Sequence, residues 1–214
     1  MRRCATLFVM VALSGGIADM AGAETITFQQ DVVAIAPSDF ESWGSGDAGP
    51  GQWAVVSDDS VQGGHALEQY RNEHTPERVA LAIYKPFAVS NLEVALRFKP
   101  ISGRLDRSAA IAVRLTTPDD YYLVRASALT RDVRLYRVVH GTWDELASAP
   151  APVTSKEWHT LALKAEGDRL SVALDEQPLL AATDATFRAP GRIALGTNAD
   201  SVTRFDRLDI KPLP

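Results

Sequence analysis

Four residues near the middle of the chain have the chemistry to hold a polar ligand: Arg114, Arg125, Tyr136 and Trp143. A guanidinium presents planar N–H donors to hydroxyls or carboxylates, and an aromatic ring offers a flat plate to apolar C–H faces and to cations. Arg114 follows Ala110 and Ala112 at alternate positions, and alternate residues of a strand share a face. Small neighbours leave room above that face. If the runs containing them are adjacent strands, Arg114, Arg125 and the ring of Tyr136 meet on one surface. Among the four tryptophans, Trp143 follows a Gly141-Thr142 turn and is the best exposed candidate, whereas Trp53 and Trp158 open apolar runs and are expected in the core. The competing account of the arginines is structural: they pair with Asp106 and Asp120 at the rim or lay their stems along the sheet.

Asp200 and Asp206 are the candidates for a metal. Asp206 alternates with Leu208 and Ile210 and so is expected to point inward, where a carboxylate must be paired or hydrogen-bonded. It could cap amides near Asp200 and Ser201, or accept from Arg204 or Arg207. Together with loop carbonyls the two carboxylates could hold calcium, which takes several oxygen ligands. No other cofactor signal is present.

Catalytic patterns are missing. Asp58-Asp59 and Asp119-Asp120 are adjacent pairs; neighbours in a strand face opposite ways, and Asp is favoured in turns for its own backbone hydrogen bonds. His65, His74, His140 and His159 stand at no ligand spacing, and His159 shares a face with Leu161 and Leu163, as a satisfied core histidine would. There is no Gly-x-Ser-x-Gly elbow and no phosphate-cradling glycine loop before a helix.

The elements that must position these residues read as strands. Residues 92–98 alternate Leu92, Val94, Leu96 and Phe98 against Glu93, Arg97 and Lys99, as a half-buried antiparallel strand does. Runs at 109–115, 121–127 and 132–139 follow, separated by turn residues, and similar runs recur to residue 211. No stretch holds a helical period. Short strands between Gly, Pro and Asp turns predict an all-β, two-sheet antiparallel sandwich. With 214 residues, 46% hydrophobic, one core suffices.

The first 23 residues read as an export signal. Arg2-Arg3 precede a mostly apolar run from Cys4 to Ile17, and Ala21-Gly22-Ala23 fits a cleavage site. The apolar run is too short and interrupted to span a membrane comfortably. Cleavage after Ala23 leaves a single domain, 24–214, in the periplasm or outside the cell. It removes two arginines, one aspartate and the only cysteine, so the mature domain has no disulfide and no thiol chemistry. The formal charge of −5 and pI of about 5.4 argue against a nucleic-acid partner, whose footprint is basic.

Several pieces resemble the concanavalin A-like jelly-roll superfamily, and more closely the laminin-G-like and DUF1080-type (3-keto-disaccharide hydrolase-like) domains of exported bacterial proteins. They are Arg97-Phe98 with Ser102-Gly103 and Asp106; Asp119-Asp120-Tyr121-Tyr122 with Arg125-Ala126 and Ala128-Leu129; and Val133 with Leu135-Tyr136. Farther on come Glu157-Trp158-His159, Gly167-Asp168 with Leu174-Asp175, Gly191 through Leu195, and Ala199 through Thr203 with Phe205-Asp206. The resemblance implies two packed sheets with carbohydrate as a frequent ligand, and calcium is familiar in laminin-G-like folds. Jelly-roll glucanases of the superfamily place their carboxylates as Glu-x-Asp-x-x-Glu or Glu-x-Asp-x-Glu, and neither pattern occurs here. Fold analogy alone assigns no function. The leading expectation is therefore an exported, non-catalytic domain binding a glycan or other surface polymer. The alternatives are a glycoside hydrolase or lyase acting on a modified disaccharide, and a structural module docking on an envelope protein.

Overall fold

A computed structural model describes residues 22–45, 49–71 and 79–214; His74 and nearly all of the expected leader lie outside them. The described strands are β1 (Glu24–Thr27), β2 (Phe40–Gly44), β3 (Trp53–Ser57), β4 (His65–Gln69), β5 (Val79–Val89), β6 (Leu92–Ser102), β7 (Ser108–Thr117) and β8 (Asp120–Ser127). They continue as β9 (Asp132–Val139), β10 (Thr142–Pro150), β11 (His159–Glu166), β12 (Arg169–Leu174), β13 (Gln177–Thr183), β14 (Gly191–Asn198) and β15 (Val202–Pro212). Among the described residues no helix is long and apolar enough to cross a membrane.

The strands form two antiparallel sheets. One has the order β13-β12-β11-β6-β15-β4-β3, with β1 also on β15; the other runs β10-β9-β8-β7-β14-β5-β2. Strands distant in sequence lie side by side: β15 pairs with β6, and β14 inserts between β7 and β5. The fold is the all-β jelly-roll sandwich expected from the alternation. In β6, Leu92, Val94, Leu96 and Phe98 are fully buried while Glu93 is exposed.

The core between the sheets takes Leu96, Phe98, Leu161, Leu163, Phe205 and Leu208 from the first sheet and Ile111, Val113, Tyr122, Val124 and Leu135 from the second. Each such side chain contributes about 1.5–3 kcal/mol by leaving water. Trp53 is in this core, in contact with Phe205 at 5.8 Å between rings. His159 is buried there too. Its Nε2 accepts from the Thr154 amide at 3.0 Å, so its Nδ1 donates to Asp175 at 2.8 Å.

Trp158 departs from the core expectation. It lies on the outer face of the first sheet, 4.7 Å from Arg97 and 4.6 Å from Lys99, and its indole N–H donates to Ser60 at 2.9 Å. Lys99 and Arg204 both bond Asp58, and Arg204 also bonds Glu68, so this face is a charged lattice. The expectation failed because it weighed the apolar run that Trp158 opens, whereas the alternation of β11, with His159, Leu161 and Leu163 inward, puts residue 158 on the outward side with Thr160 and Ala162.

Leu96→Ala is expected to cost about 2–5 kcal/mol in denaturant unfolding, because Leu96 is fully buried. Glu93→Ala, on the opposite face of the same strand, should stay within about 0.5 kcal/mol.

Candidate functional site

The outer face of the second sheet differs sharply from that of the first. It carries a second apolar cluster: Leu81 and Ile83 of β5, Ala110 and Ala112 of β7, Tyr121 and Leu123 of β8, Val138 of β9 and Ala194 of β14, with Trp43, Tyr136 and Trp143 packed against it. The cluster residues have almost no exposure in the whole chain.

Register explains the arrangement. One row crosses the sheet from Glu145 through Tyr136, Leu123, Ala112, Ala194 and Ile83 to Glu41. The next row runs from Ser148 through Arg134, Arg125, Ala110, Gly196 and Leu81 to Trp43. Alanine and glycine at the centre keep the middle of the face low, and larger side chains stand on both flanks. On one flank Tyr136 and Trp143 meet edge to face, 5.0 Å apart at 67°. On the other, Arg192 lies over Trp43 at 4.2 Å and pairs with Glu41 at 2.9 Å.

Arg125 is held at one end of the face. Its terminal nitrogens stand 3.3 Å from Asp106 and 3.6 Å from Asp132, and its Nε is buried with no hydrogen-bond partner. Asp132 is also bonded at 2.6 Å by Thr130 and by Arg134 Nε, and Arg134 reaches Glu145 at 3.1 Å. Burial raises the Asp132 carboxyl, but the Thr130 and Arg134 bonds and the charges of Arg134 and Arg125 leave it below its ordinary value. Contacts with Trp43 and then Arg192 likewise lower Glu41.

The loop beneath Arg125 is set by Asp200. Its Oδ2 accepts the Arg104 amide at 2.8 Å, and its Oδ1 accepts those of Leu105 and Asp106 at 2.9 and 3.2 Å. Gly103 opens this turn at a φ of 149°, where an added Cβ would meet the Asp106 carbonyl oxygen at 1.8 Å. The turn delivers Asp106, which accepts from Ser127 at 2.6 Å as well as facing Arg125.

The expected residues therefore divide. Arg125, Tyr136 and Trp143 share the outer face. Arg114 does not. It has a φ of 52° at an irregularity between Val113 and Thr117, which turns its side chain off the Ala110–Ala112 row. Buried, it donates from Nε to the Ser90 carbonyl and from a terminal nitrogen to the Phe187 carbonyl, both at 2.7 Å, beside the core ring of Tyr122. Asp206 is displaced in the same way. A register shift between Phe205 and Arg207 puts it against Arg97 instead of alongside Leu208 and Ile210. Asp200 is occupied by amide donors and Asp206 by a guanidinium, so this pair does not fit a calcium ligand set. Among the described residues no three His, Cys, Asp or Glu side chains are placed to hold a metal. Asp120 accepts from Thr117 and from the His140 amide, in the turn role expected of it.

Sequence reasoning passed over Asp132, Arg134, Glu145 and Arg192. The alternation that joins Arg134 to Tyr136 was a usable signal; the cross-strand neighbours of Asp132 and Glu145 were not visible without the register.

A family model for the galactocerebrosidase C-terminal lectin domain matches residues 103–213, more than half of the 214-residue chain. The chain belongs to this lectin-domain family. The match starts at the Gly103 turn and includes Asp106, Arg125, Asp132, Tyr136, Trp143 and Asp200, but not Glu41 or Trp43. No curated protein sequence matches the chain. Among solved structures, this lectin-domain member is similar to the carbohydrate-binding module CBM66 from Bacillus subtilis, with a TM-score of 0.61 and 18% identity over 75% of this chain and 91% of that one. It is similar to a β-1,3-1,4-glucanase (lichenase) from a mouse hindgut metagenome at 0.62 and 13%, over 90% and 100%. Bacillus licheniformis β-glucanase gives 0.57 at 10%, over 90% and 99%. At such identities the shared property is the fold, a concanavalin A-like β-sandwich.

Two outcomes follow from this geometry. Arg114→Ala should destabilise the domain by about 2 kcal/mol in urea, since it empties a buried arginine site and strands two half-buried carbonyls, without changing the outer face. Asp58, Asp120, Asp132, Asp184 and Asp200 all lie below the ordinary 3.8 when folded. For Asp200, burial acts upward and the amide bonds outweigh it. Such groups contribute stability that is complete above the unfolded value and is lost as pH falls through the folded one. The urea midpoint should therefore hold from pH 7 to about 5 and drop steeply below about 4. Asp200→Asn should lower the plateau and flatten that drop.

Proposed function

We propose that this protein is an exported, non-catalytic glycan-binding domain whose site is the outer face of the seven-stranded sheet. The carrying observation is the juxtaposition there of the partly exposed Tyr136–Trp143 pair and an Arg125 with undersupplied donors, beside an apolar cluster that is itself buried. Sugar rings offer this surface C–H faces for the aromatics and hydroxyl oxygens for the guanidinium. The lectin-domain family match supports the reading. Within the superfamily we place the chain nearest the laminin-G-like and DUF1080-type domains, on the strand and turn motifs given above. The leader 1–23 directs it to the periplasm or exterior, and binding proceeds without calcium.

The second reading is a glycoside hydrolase or lyase acting on a modified disaccharide. The glucanase fold, shared over 90% of the chain, favours it. Against it stands the electrostatics. A glycosidase acid is a carboxyl raised so that it keeps its proton, whereas Asp132 and Glu41 on this face are both lowered. A module docking on an envelope protein is the remaining alternative.

The test is a glycan-array screen of residues 24–214, which contain all the described strands, beside Arg125→Ala and Trp143→Ala, with and without a calcium chelator. At least one glycan should be retained by the parent, be lost or weakened about tenfold or more in each variant, as for other desolvated aromatic and arginine contacts, and be indifferent to the chelator. Cleavage of a glycoside without retention of any glycan would instead establish the hydrolase.

A further inference from the structure

We infer that the outer face of the seven-stranded sheet selects uncharged polysaccharides and rejects anionic ones, with Asp106, Asp132 and Glu145 as the residues that enforce the choice. This rests on the glycan reading above and adds the class of ligand. Arginines on a sugar-binding face ordinarily suggest an acidic sugar, because guanidinium and carboxylate form paired hydrogen bonds. Here each arginine already has its carboxylate: Arg125 faces Asp106 and Asp132, Arg134 holds Asp132 and Glu145, and Arg192 holds Glu41. Lys85 lies near enough to Glu41 to lower it. Among the described residues, these contacts set Arg125, Arg134, Arg192 and Lys85 against Asp106, Asp132, Glu145 and Glu41, in a chain of formal charge −5.

The hydrogen-bonding capacity that remains is suited to neutral oxygen. Arg125 has a buried Nε without a partner, and its terminal nitrogens stand at 3.3 and 3.6 Å from their carboxylates, longer than a good charge-assisted bond. A sugar hydroxyl can take such a donor and also donate to the flanking carboxylates. A ligand carboxylate or sulfate at the same point would be brought against Asp106 and Asp132, and like charges at close range penalise the wrong partner. Asp132 stays ionised near neutral pH, since it is held below its ordinary value, so protonation does not relieve the clash. Tyr136 and Trp143 need only C–H faces, which neutral sugars supply.

The experiment measures retention of residues 24–214 in affinity gels containing neutral β-glucan, galactan, mannan or fructan. Each polymer is run beside its carboxymethylated form, with the hydroxyethylated form as a control for substituent size. The expected result is at least one neutral polymer and its hydroxyethyl form bound, the carboxymethyl form bound about tenfold or more weakly, and neutral binding unchanged between about 50 and 500 mM salt, a range over which exposed charge pairs are progressively screened. Asp132→Asn and Glu145→Gln each remove one negative charge. Both should narrow the neutral-to-anionic ratio by about threefold or more and make the anionic binding fall with salt. Glu145 is an exposed side chain on β10, so its variant folds even if the Asp132 variant does not. Equal or tighter binding of a carboxymethyl form by the parent, or a ratio unmoved by Glu145→Gln, overturns the inference while leaving the glycan reading intact. Retention of no polymer at all overturns both.

Discussion

The Asp200 carboxylate, spread across three consecutive amides, fixes the turn at 104–106 from which the candidate site is built. A loop of this length has no ladder to satisfy its backbone donors, and buried donors without partners are costly. One ionised side chain supplies all three, and the glycine before it supplies a backbone path closed to side chains. Asp106 is thereby presented at a fixed point between Ser127, Asn198 and Arg125. The guanidinium that gives the face its polar end is thus positioned through a chain of contacts beginning almost a hundred residues farther along the sequence.

The two outer faces divide the work of a sandwich. The first sheet turns a lattice of Arg97, Lys99, Arg204, Asp58 and Glu68 to solvent, with Trp158 pinned beneath cations. Its aromatic ring is spoken for, and its charges satisfy one another. The second sheet exports few charges and concentrates them at two flanks, leaving aliphatic and alanine side chains in the middle. A sheet needs only one apolar face to build the core. A second one on the far side of the same strands makes β7, β8 and β14 apolar on both faces, which is why Ser108–Leu115 is buried without interruption.

Much of the architecture was legible because alternation is a strong constraint wherever one face is buried. Residues 92–98 predicted β6 and its inward set correctly, and Arg125 and Tyr136 fell on one face as their spacing implied, where Trp143, singled out only for its place after a turn, joins them. The failures came where the period of two was broken. Arg114 sits at a bulge with a left-handed φ, and Asp206 at a register shift in β15; counting residues across such points assigns the wrong side. Trp158 is the exception: the period of two holds there and, with His159, Leu161 and Leu163 inward, already points residue 158 outward, but the apolar run it opens was weighed instead. The role of Asp200 was not visible: amide capping was expected of Asp206, Asp200 was read only as a candidate calcium ligand, and the amides it holds are distant in sequence.

The Arg114 bulge also bears on how such domains diversify. An added Cβ at Gly191 would come within 2.3–2.7 Å of the Arg114–Leu115 backbone, so the bulge in this form requires a glycine beside it. Because a strand repeats every two residues, inserting or deleting one residue exchanges the populations of its two faces downstream. An arginine can then pass from solvent to scaffold with its codon unchanged. For proteins on this plan, a length change within β7 can move a side chain from one face to the other as directly as a substitution, and a position-by-position comparison will miss it unless the bulges are aligned first.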